Sequence, residues 1–257
     1  MGVDLRNLAE DPDFYLLPPE EGERIADERF CLLIASERRR ADVCRLRLSE
    51  EPRLLEGAVE EILDRVRGIT TVVWNVGSSA QPADLPARLR ALGLREPDPP
   101  LDAVAAAMIL TEEPVSVDDV EVRRIETFDD HLIGLEILLA ADTWSAEARA
   151  GKRARAEKTF ELQRRRGDLQ WLACLDGTPV AWAAAERASP GLFLAGGATL
   201  PEARGHGCYR ALVRARWDEA VRLGLPGLAV QAQYASSAPI LRGLGFVEAA
   251  TIHTLQS

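Results

Sequence analysis

The residues best suited to chemistry lie in one glycine-rich segment, Arg204-Gly205-His206-Gly207-Cys208-Tyr209, between a predicted strand and a predicted helix. Glycine lets the backbone turn its N–H groups inward without a Cβ in the way. The unpaired N–H groups of a first helical turn add a partial positive charge. A loop of this kind can hold a phosphate or pyrophosphate group. The alternative is an ordinary glycine-rich turn between a strand and a helix.

Two familiar phosphate-binding loops do not match this segment. The P-loop requires the string G-x-x-x-x-G-K-[ST], which does not occur in the sequence. A dinucleotide-binding loop requires a third glycine, and Arg210 stands at that position. If this segment binds phosphate, it therefore does so as a loop of another type.

The hydrophobic pattern predicts the elements that position this loop. A strand over 192–200 leads into it, and an amphipathic helix over 209–223 follows and ends at Gly224. The same part of the chain predicts strands over 120–125, 170–175, 178–185, 228–231 and 246–253, a helical stretch over 129–166 and a short helix over 239–242.

The first part of the chain also has a mixed α/β pattern. It predicts strands over 30–35, 43–48 and 69–76, helices over 52–66 and 85–92, and a strand or helix over 104–110. A proline- and acid-rich stretch over 112–119 separates the two parts. We place the boundary near residue 115.

The two parts share a weak internal similarity. In the first part, a strand over 72–76 is followed by two serines and by the segment 89–94. In the second part, a strand over 228–232 is followed by two serines and by 241–246. Both segments end in leucine, glycine and an apolar residue. A diverged duplication and a chance similarity both explain this pattern.

Two motifs of the second part resemble those of the GNAT acyl-CoA N-acyltransferase superfamily. The segment Thr199-Leu200-Pro201-Glu202-Ala203-Arg204-Gly205-His206-Gly207-Cys208 resembles the strand end and pyrophosphate loop of that family, V-x-P-x-x-R/Q-G-x-G-x-G/A. Val230-Gln231-Ala232 followed by Pro239-Ile240-Leu241-Arg242-Gly243-Leu244-Gly245-Phe246 resembles its closing motif, a strand and P-x-Y-x-x-L-G-F. The resemblance covers about 120–253.

The resemblance implies an α/β fold with a mixed, mostly antiparallel twisted sheet flanked by helices. The segments 73–77, 82–85 and 92–94 resemble the degenerate first half of tandem GNAT proteins. We therefore expect a diverged GNAT-like half without a CoA loop over 1–115 and a GNAT N-acyltransferase domain over 116–257.

The resemblance also implies a co-substrate, acetyl-CoA, lying between two splayed strands at 192–200 and 228–232. The thioester carbonyl would meet backbone N–H groups near Gly197–Thr199, and the pyrophosphate would meet those of Gly205–Arg210. The expected cofactor-binding residues are Gly197, Ala198, Thr199, Arg204, Gly205, His206, Gly207, Cys208, Tyr209 and Arg210. The implied reaction is direct transfer of the acetyl group to a primary amine of a small molecule or peptide, with no acyl-enzyme.

The catalytic residues are less well specified. Leu241 stands where the family often has a tyrosine that protonates the leaving thiolate, and leucine cannot donate a proton. Tyr209 and Tyr234 are the candidate acids, and Glu186, at the end of a predicted strand, is the candidate base acting through water. The missing tyrosine keeps open an alternative function, a non-catalytic acyl-CoA-binding sensor or interaction protein.

Three further features each have two interpretations. Cys208 at a helix start suggests a thiol of lowered pKa and hence a nucleophile, or simply a helix-start residue. The segment 149–166, with eight basic and two acidic residues, is a solvated helix face or attracts an acidic ligand. Trp144 lines an acceptor pocket or belongs to the core.

Charge, apolar runs and cysteine spacing argue against several classes of partner. The chain has 31 basic and 41 acidic residues, a formal net charge of −10, which disfavours nucleic acid. It contains no apolar run near the ~20 residues that span a membrane. The N-terminal residues are acidic and have no apolar run, so we expect no secretory signal. The four cysteines show no metal-binding spacing. We therefore expect no metal and no membrane partner, a cytoplasmic location, and a monomer or homodimer.

Overall fold

The computed structural model describes residues 4–11, 22–35, 39–98, 102–115, 119–188 and 190–257. The helices are α1 Leu5–Glu10, α2 Pro52–Arg65, α3 Leu85–Ala91, α4 Phe128–Ala141, α5 Ala146–Ala154, α6 Ala156–Arg166, α7 Cys208–Arg222 and α8 Ser237–Gly243. The strands are β1 Gly22–Ala26, β2 Cys31–Ala35, β3 Arg40–Cys44, β4 Thr71–Gly77, β5 Val104–Leu110, β6 Glu121–Arg124, β7 Leu169–Leu175, β8 Thr178–Ala188, β9 Gly191–Phe193, β10 Gly197–Thr199, β11 Leu228–Gln233 and β12 Val247–Gln256. Within the described ranges, none of the helices combines the length and the apolar character needed to cross a membrane.

Contacts between residues divide the chain into two compact units. The first unit comprises 1–109 and 231–257, and the second comprises 110–230. Most strand pairs in both units are antiparallel, whereas β3 with β4 and β9 with β11 are parallel. The predicted mixed, mostly antiparallel sheet with flanking helices is confirmed. The division into family-like halves at 115 stays a prediction.

The first unit is built around a sheet of strand order β1-β2-β3-β4-β12-β5. Its core is a cluster of buried apolar side chains from the strands and from α2, which begins at Pro52, a favourable first helical residue. Leu55, Val59 and Ile62 recur at helical spacing and are buried against this core. This spacing explains why the predicted helix over 52–66 forms.

The last strand of the chain lies inside the first unit. β12 pairs antiparallel with β4 on one side and with β5 on the other, placing Leu255 opposite Trp74. Trp74 is fully buried, and its indole N–H donates to Ser257 Oγ at 3.2 Å. The C-terminal residues therefore complete the sheet that the N-terminal residues begin.

The second unit has the strand order β11-β9-β8-β7-β6, and β10 pairs with β8. Trp182 and Ala184 of β8 pack with Ile137 of α4 in one apolar cluster. The alternate residues of β8 are buried alanines, which point to the opposite face, where α7 contacts β7 and β8. Helices therefore cover both faces of this sheet.

Two predicted elements away from the glycine-rich loop differ from the structure. The helical stretch over 129–166 forms three helices, because the chain leaves the helix after α4 and restarts at Ser145, whose hydroxyl accepts the Ala148 N–H, and again at Arg155. The strand predicted over 43–48 ends at Cys44, because Arg45 adopts a left-handed backbone conformation with φ of 53°.

The internal similarity seen in the sequence has a structural counterpart. β1–β3 form an antiparallel run followed by α2, a strand β4 parallel to β3, and α3. β7–β9 are followed likewise by α7, a strand β11 parallel to β9, and α8. Leu94 N–H donates to Leu89 O, and Phe246 N–H donates to Leu241 O, so α3 and α8 end in the same way.

Candidate active site

The strand that leads toward the glycine-rich loop is interrupted by a β-bulge. Phe193 lies opposite Glu186, but Gly197 lies opposite Ala183, so one extra residue is inserted between them. The Ala195 N–H donates to Ala184 O, and the Ala184 N–H donates to Gly196 O, each at 3.1 Å. The predicted continuous strand over 192–200 is therefore wrong: the chain forms β9, a bulge and β10.

Beyond the bulge, one edge of the strand is open. β9 pairs with β11 through Phe193 and Ala229, and Leu194 N–H donates to Ala229 O at 2.8 Å. β10 pairs with β8 alone among the described residues. The Leu200 N–H donates to Val180 O, so by alternation the amides of Gly197 and Thr199 face away from β8, whereas that of Ala198 faces it.

The loop that follows owes its shape to two glycines. Gly205 and Gly207 have φ of 85° and 82°, a region that strains residues with a side chain. A Cβ at Gly205 would have no atom within 4 Å, so the space in front of it is open. Gly207 immediately precedes α7, and the free N–H groups of this 15-residue helix therefore begin at the loop.

Arg204 and His206 have exposed side chains with specific partners. Arg204 Nη2 donates to Ala141 O at 2.9 Å, and its Nε lies 3.4 Å from Thr199 O. His206 Nδ1 lies 3.1 Å from Arg204 O. Arg204 thus ties the loop to the end of α4, and its role in holding a ligand stays a prediction.

Three predicted ligand-binding residues lie in the first turn of α7, and their side chains have different surroundings: Cys208, Tyr209 and Arg210. The Cys208 side chain is buried, and burial raises the pKa of its thiol. The expected lowered pKa is wrong, because loss of solvent around the buried sulfur outweighs the hydrogen bond from the backbone N–H of Cys208. Cys208 can offer a ligand only its backbone, whereas the Arg210 side chain is exposed.

Tyr209 links the loop to β10. Its ring lies against Gly197, where an added Cβ would be 2.8 Å from Tyr209 Cε2. The Arg216 guanidinium carbon lies 5.6 Å from the centre of the same ring. The structure therefore brings Gly197, Thr199, the glycine loop and Tyr209 together in the second unit.

The other two candidate catalytic residues have different surroundings. Tyr234 belongs to the first unit, where its hydroxyl donates to the Glu248 carboxylate and lies 3.2 Å from Thr251 Oγ1. Burial and the hydrogen bond to Glu248 raise the pKa of Tyr234. Glu186 lies half-buried on β8 in the second unit, and Leu241 is buried in the core.

The α4 side of the second unit carries a groove that the sequence did not specify. Its volume is about 430 Å³, and it is lined by Leu132, Ile133, Glu136, Ile137, Ala140 and Leu200. Glu136 is paired with Arg153 through two contacts of 2.7 Å. Trp144 does not line this groove; its indole N–H donates to Leu138 O, and the Lys152 ammonium lies 4.5 Å from the centre of its ring.

Arg216 is the residue near the site that sequence reasoning missed. It is fully buried on α7, although arginine is among the residues least often buried. The signal was present: Arg216 lies seven residues after Tyr209 and three after Val213, so helical spacing places it on the apolar face.

Three buried side chains form a hydrogen-bonded cluster between α4 and the sheet: His131, Gln170 and Trp182. Gln170 Oε1 accepts the Trp182 indole N–H at 3.0 Å and lies 3.3 Å from His131 Nδ1. The His131 ring also packs against Phe128 and Phe160. Burial lowers the pKa of His131, which therefore stays neutral in the folded protein when a solvated histidine would be protonated.

This lowered pKa predicts a loss of stability in mild acid. As pH falls through about 6.5, the unfolded chain takes up a proton that folded His131 does not, so the free energy of unfolding falls. We expect His131→Gln to remove part of this fall, measured by urea unfolding at about pH 7.5 and about pH 5.5. An equal fall in the native protein and in His131→Gln would contradict the assignment to His131.

Searches of the sequence against protein-family models and against curated protein sequences find no match. The structure is similar to a GCN5-related N-acetyltransferase from Kribbella flavida, with a TM-score of 0.72 and 18% identity over 100% of this chain and 96% of that one. It is also similar to a tandem GNAT protein from the clavulanic acid biosynthesis pathway, with a TM-score of 0.65 and 15% identity over 89% of this chain and 78% of that one.

A third similar structure is a GCN5-related N-acetyltransferase from Sphaerobacter thermophilus, with a TM-score of 0.57 and 15% identity over 95% of this chain and 83% of that one. These similarities extend over most of the chain, including the first part that lacks the glycine loop. The chain therefore has the GNAT fold, in an arrangement shared with a tandem GNAT protein.

Proposed function

We propose that the protein is an N-acetyltransferase that moves an acetyl group from acetyl-CoA directly to a primary amine of a small molecule or peptide. One observation carries the proposal. A strand with an open edge, β10, leads within a few residues to a loop with two positive-φ glycines at the start of α7. A free strand edge and a helix N-terminus offer hydrogen-bond donors for a carbonyl and for phosphates.

In this proposal, the pyrophosphate of CoA binds the N–H groups of 205–210, where the α7 dipole favours negative charge. The amides of Gly197 and Thr199, which face away from β8, bind the pantetheine arm and the thioester carbonyl. In this arrangement the reacting carbonyl would lie beside the start of α7. Correct placement of two bound reactants supplies much of the rate enhancement of a direct transfer.

The chemistry requires two bond changes and two proton transfers. The neutral amine nitrogen attacks the thioester carbon, and a C–N bond forms as the C–S bond breaks. The carbonyl oxygen becomes negative in between and is stabilised by the backbone N–H donors. The CoA sulfur leaves as a thiolate and takes a proton from the Tyr209 hydroxyl, while the proton of the new ammonium passes through water to Glu186.

Tyr209 is the favoured acid on two grounds. Its ring contacts Gly197, whose amide is a proposed thioester donor, so Tyr209 belongs to the same site. Tyr234 already donates its proton to Glu248, and a carboxylate acceptor makes that proton harder to release. We therefore assign the acid to Tyr209 and no catalytic part to Tyr234.

The groove beside α4 supports an acceptor with an apolar portion. Five of its six lining residues are apolar, and Leu200 directly follows the strand that would hold the thioester. The sixth, Glu136, is neutralised by Arg153. An amine carried on an apolar body fits this lining better than a polycation does.

A pair of matched glycine variants tests CoA binding. Gly205 and Gly224 both have positive φ, of 85° and 67°, with open space where a Cβ would lie, but Gly224 lies at the far end of α7. Valine is strained at both positions. We expect both variants to lose similar thermal stability, whereas Gly205→Val alone loses about tenfold or more in affinity for CoA by calorimetry, since only its side chain enters the loop. Equal binding by both variants, or no binding by the native protein, would contradict the site.

A second measurement separates the enzyme from its alternative. An amine library is screened with acetyl-CoA, and free thiol release is recorded. Release that depends on one class of amine supports transfer. Tight binding of acetyl-CoA without release from any amine would favour the alternative, a non-catalytic acyl-CoA-binding sensor.

A further inference from the structure

The guanidinium of Arg216 is buried without a carboxylate partner among the described residues. It is fully inaccessible on α7, and its Nη2 has no hydrogen-bond partner in the described part of the chain. Its Nε donates to Leu212 O at 2.9 Å, a carbonyl of its own helix. Burial lowers the pKa of Arg216, yet a guanidinium keeps its proton in proteins, so the charge is retained. An uncompensated buried charge costs folding free energy, which calls for a functional reason.

Apart from the Tyr209 ring, the remaining contacts of Arg216 are with the β-bulge. Its Nη1 lies 3.4 Å from Ala184 O and 3.4 Å from Gly196 O. These are two carbonyls of the bulge, one on β8 and one on the strand that carries the inserted residue. Both carbonyls already accept a backbone N–H, from Ala195 and Ala184 respectively. The bulge therefore has its backbone hydrogen bonds without Arg216, and the arginine is not needed to satisfy them.

The peptide unit between Gly196 and Gly197 connects this charge to the open edge. In a trans peptide, the C=O and the following N–H point in opposite directions. Because Gly196 O points toward Ala184 and Arg216, the Gly197 N–H points away from β8. A cation at the carbonyl end polarises the unit and makes its N–H a stronger donor.

We propose that Arg216 is a positioning residue that fixes and polarises the Gly196–Gly197 peptide, so that the Gly197 N–H holds the thioester carbonyl and the negative charge that develops on it. This inference rests on the proposed function. Arg216 contacts neither substrate. It acts through the Gly196–Gly197 peptide, from the side opposite the open strand edge. Negative charge in a site sheltered from water gains most from such fixed charges and dipoles.

The test replaces Arg216 by methionine, an unbranched apolar residue, and by lysine. Arg222→Met, on an exposed residue of the same helix paired with Glu219, is the matched control. We expect Arg216→Met to melt no lower than the native protein, because it removes an uncompensated charge and leaves no carbonyl unpaired. We expect its kcat for transfer to fall about tenfold or more, with affinity for CoA unchanged, since CoA has no acyl carbonyl. Arg216→Lys should recover part of kcat, and Arg222→Met should match the native protein.

A spectroscopic measurement separates positioning from a structural role. Isotope-edited infrared spectra of bound acetyl-CoA labelled at the carbonyl carbon report polarisation of that bond. We expect a lower stretching frequency than in water for the native protein and for Arg222→Met, and a return toward the water value for Arg216→Met. A frequency in the native protein equal to that in water, or one unchanged by Arg216→Met, overturns the proposal. Failure of the native protein to bind acetyl-CoA would instead overturn the proposed function.

Discussion

A Tyr209→Phe variant is expected to transfer acetyl groups about 100-fold more slowly than the native protein, with its affinity for CoA unchanged. The hydroxyl is needed only when negative charge develops on the departing sulfur, so its loss lowers kcat rather than ground-state binding. The ring itself packs against Gly197 and over Arg216, and phenylalanine preserves both contacts. The variant should therefore keep the fold of the site and lose only the proton donor.

The matched control is Tyr234→Phe. Its hydroxyl is engaged by Glu248 and Thr251 in the first unit, so we expect kcat within about threefold of the native value. Thiol release under saturating substrates measures both variants, and calorimetry with CoA checks binding. If Tyr234→Phe lost more activity than Tyr209→Phe, the acid would be assigned to the wrong tyrosine. If neither variant slowed, water would protonate the thiolate, and positioning alone would account for the rate.

The glycine loop could be predicted from sequence because its geometry depends on single residues. Only glycine adopts the positive φ found at 205 and 207 without strain, so the spacing of the two glycines already describes the backbone. The same holds for α7, whose apolar spacing and terminal Gly224 define its bounds within a residue. Both features depend on the backbone preferences and spacing of neighbouring residues, which can be read directly from the sequence.

The bulge and the charge behind it depend on pairing that the sequence does not display. The run Leu192–Leu200 satisfies the pattern of one strand, and only its register against β8 inserts the extra residue. Helical spacing places Arg216 on the apolar face of α7, but the sequence does not show which carbonyls of the bulge its guanidinium meets. Arg45 likewise ends β3 with a left-handed φ that carries no signal in its residue type. Each of these features is set by contacts distant in sequence.

The position of the last strand is the largest feature of this kind. The sequence predicts a strand over 246–253 but does not show which strands flank it. In the structure, β12 extends to Gln256 and separates β4 from β5, so the first unit depends on residues at the far end of the chain. Closing so long a loop costs entropy that the strand's contacts must offset.

Trp74 tests how much the first unit depends on that closure. Its ring is fully buried, Leu255 of β12 lies opposite it, and its indole N–H donates to Ser257. We expect Trp74→Ala to lower the free energy of unfolding by about 3–5 kcal/mol, since it leaves a cavity where β4 and β12 meet. That is a large share of the about 5–15 kcal/mol that stabilises a typical domain.

The matched control is Trp144→Ala, because Trp144 is half-buried and its indole N–H donates to a backbone carbonyl. A partly exposed ring has less apolar surface to lose, so its loss of stability should be well under half that of Trp74→Ala. Urea unfolding of both variants measures the difference. Amide hydrogen exchange then locates it: in Trp74→Ala, protection should fall in β4 and β12 together, since each strand supplies hydrogen bonds to the other. Equal losses in the two variants, or a fall in β4 without one in β12, would show that the last strand is held to the first unit by contacts other than those around Trp74.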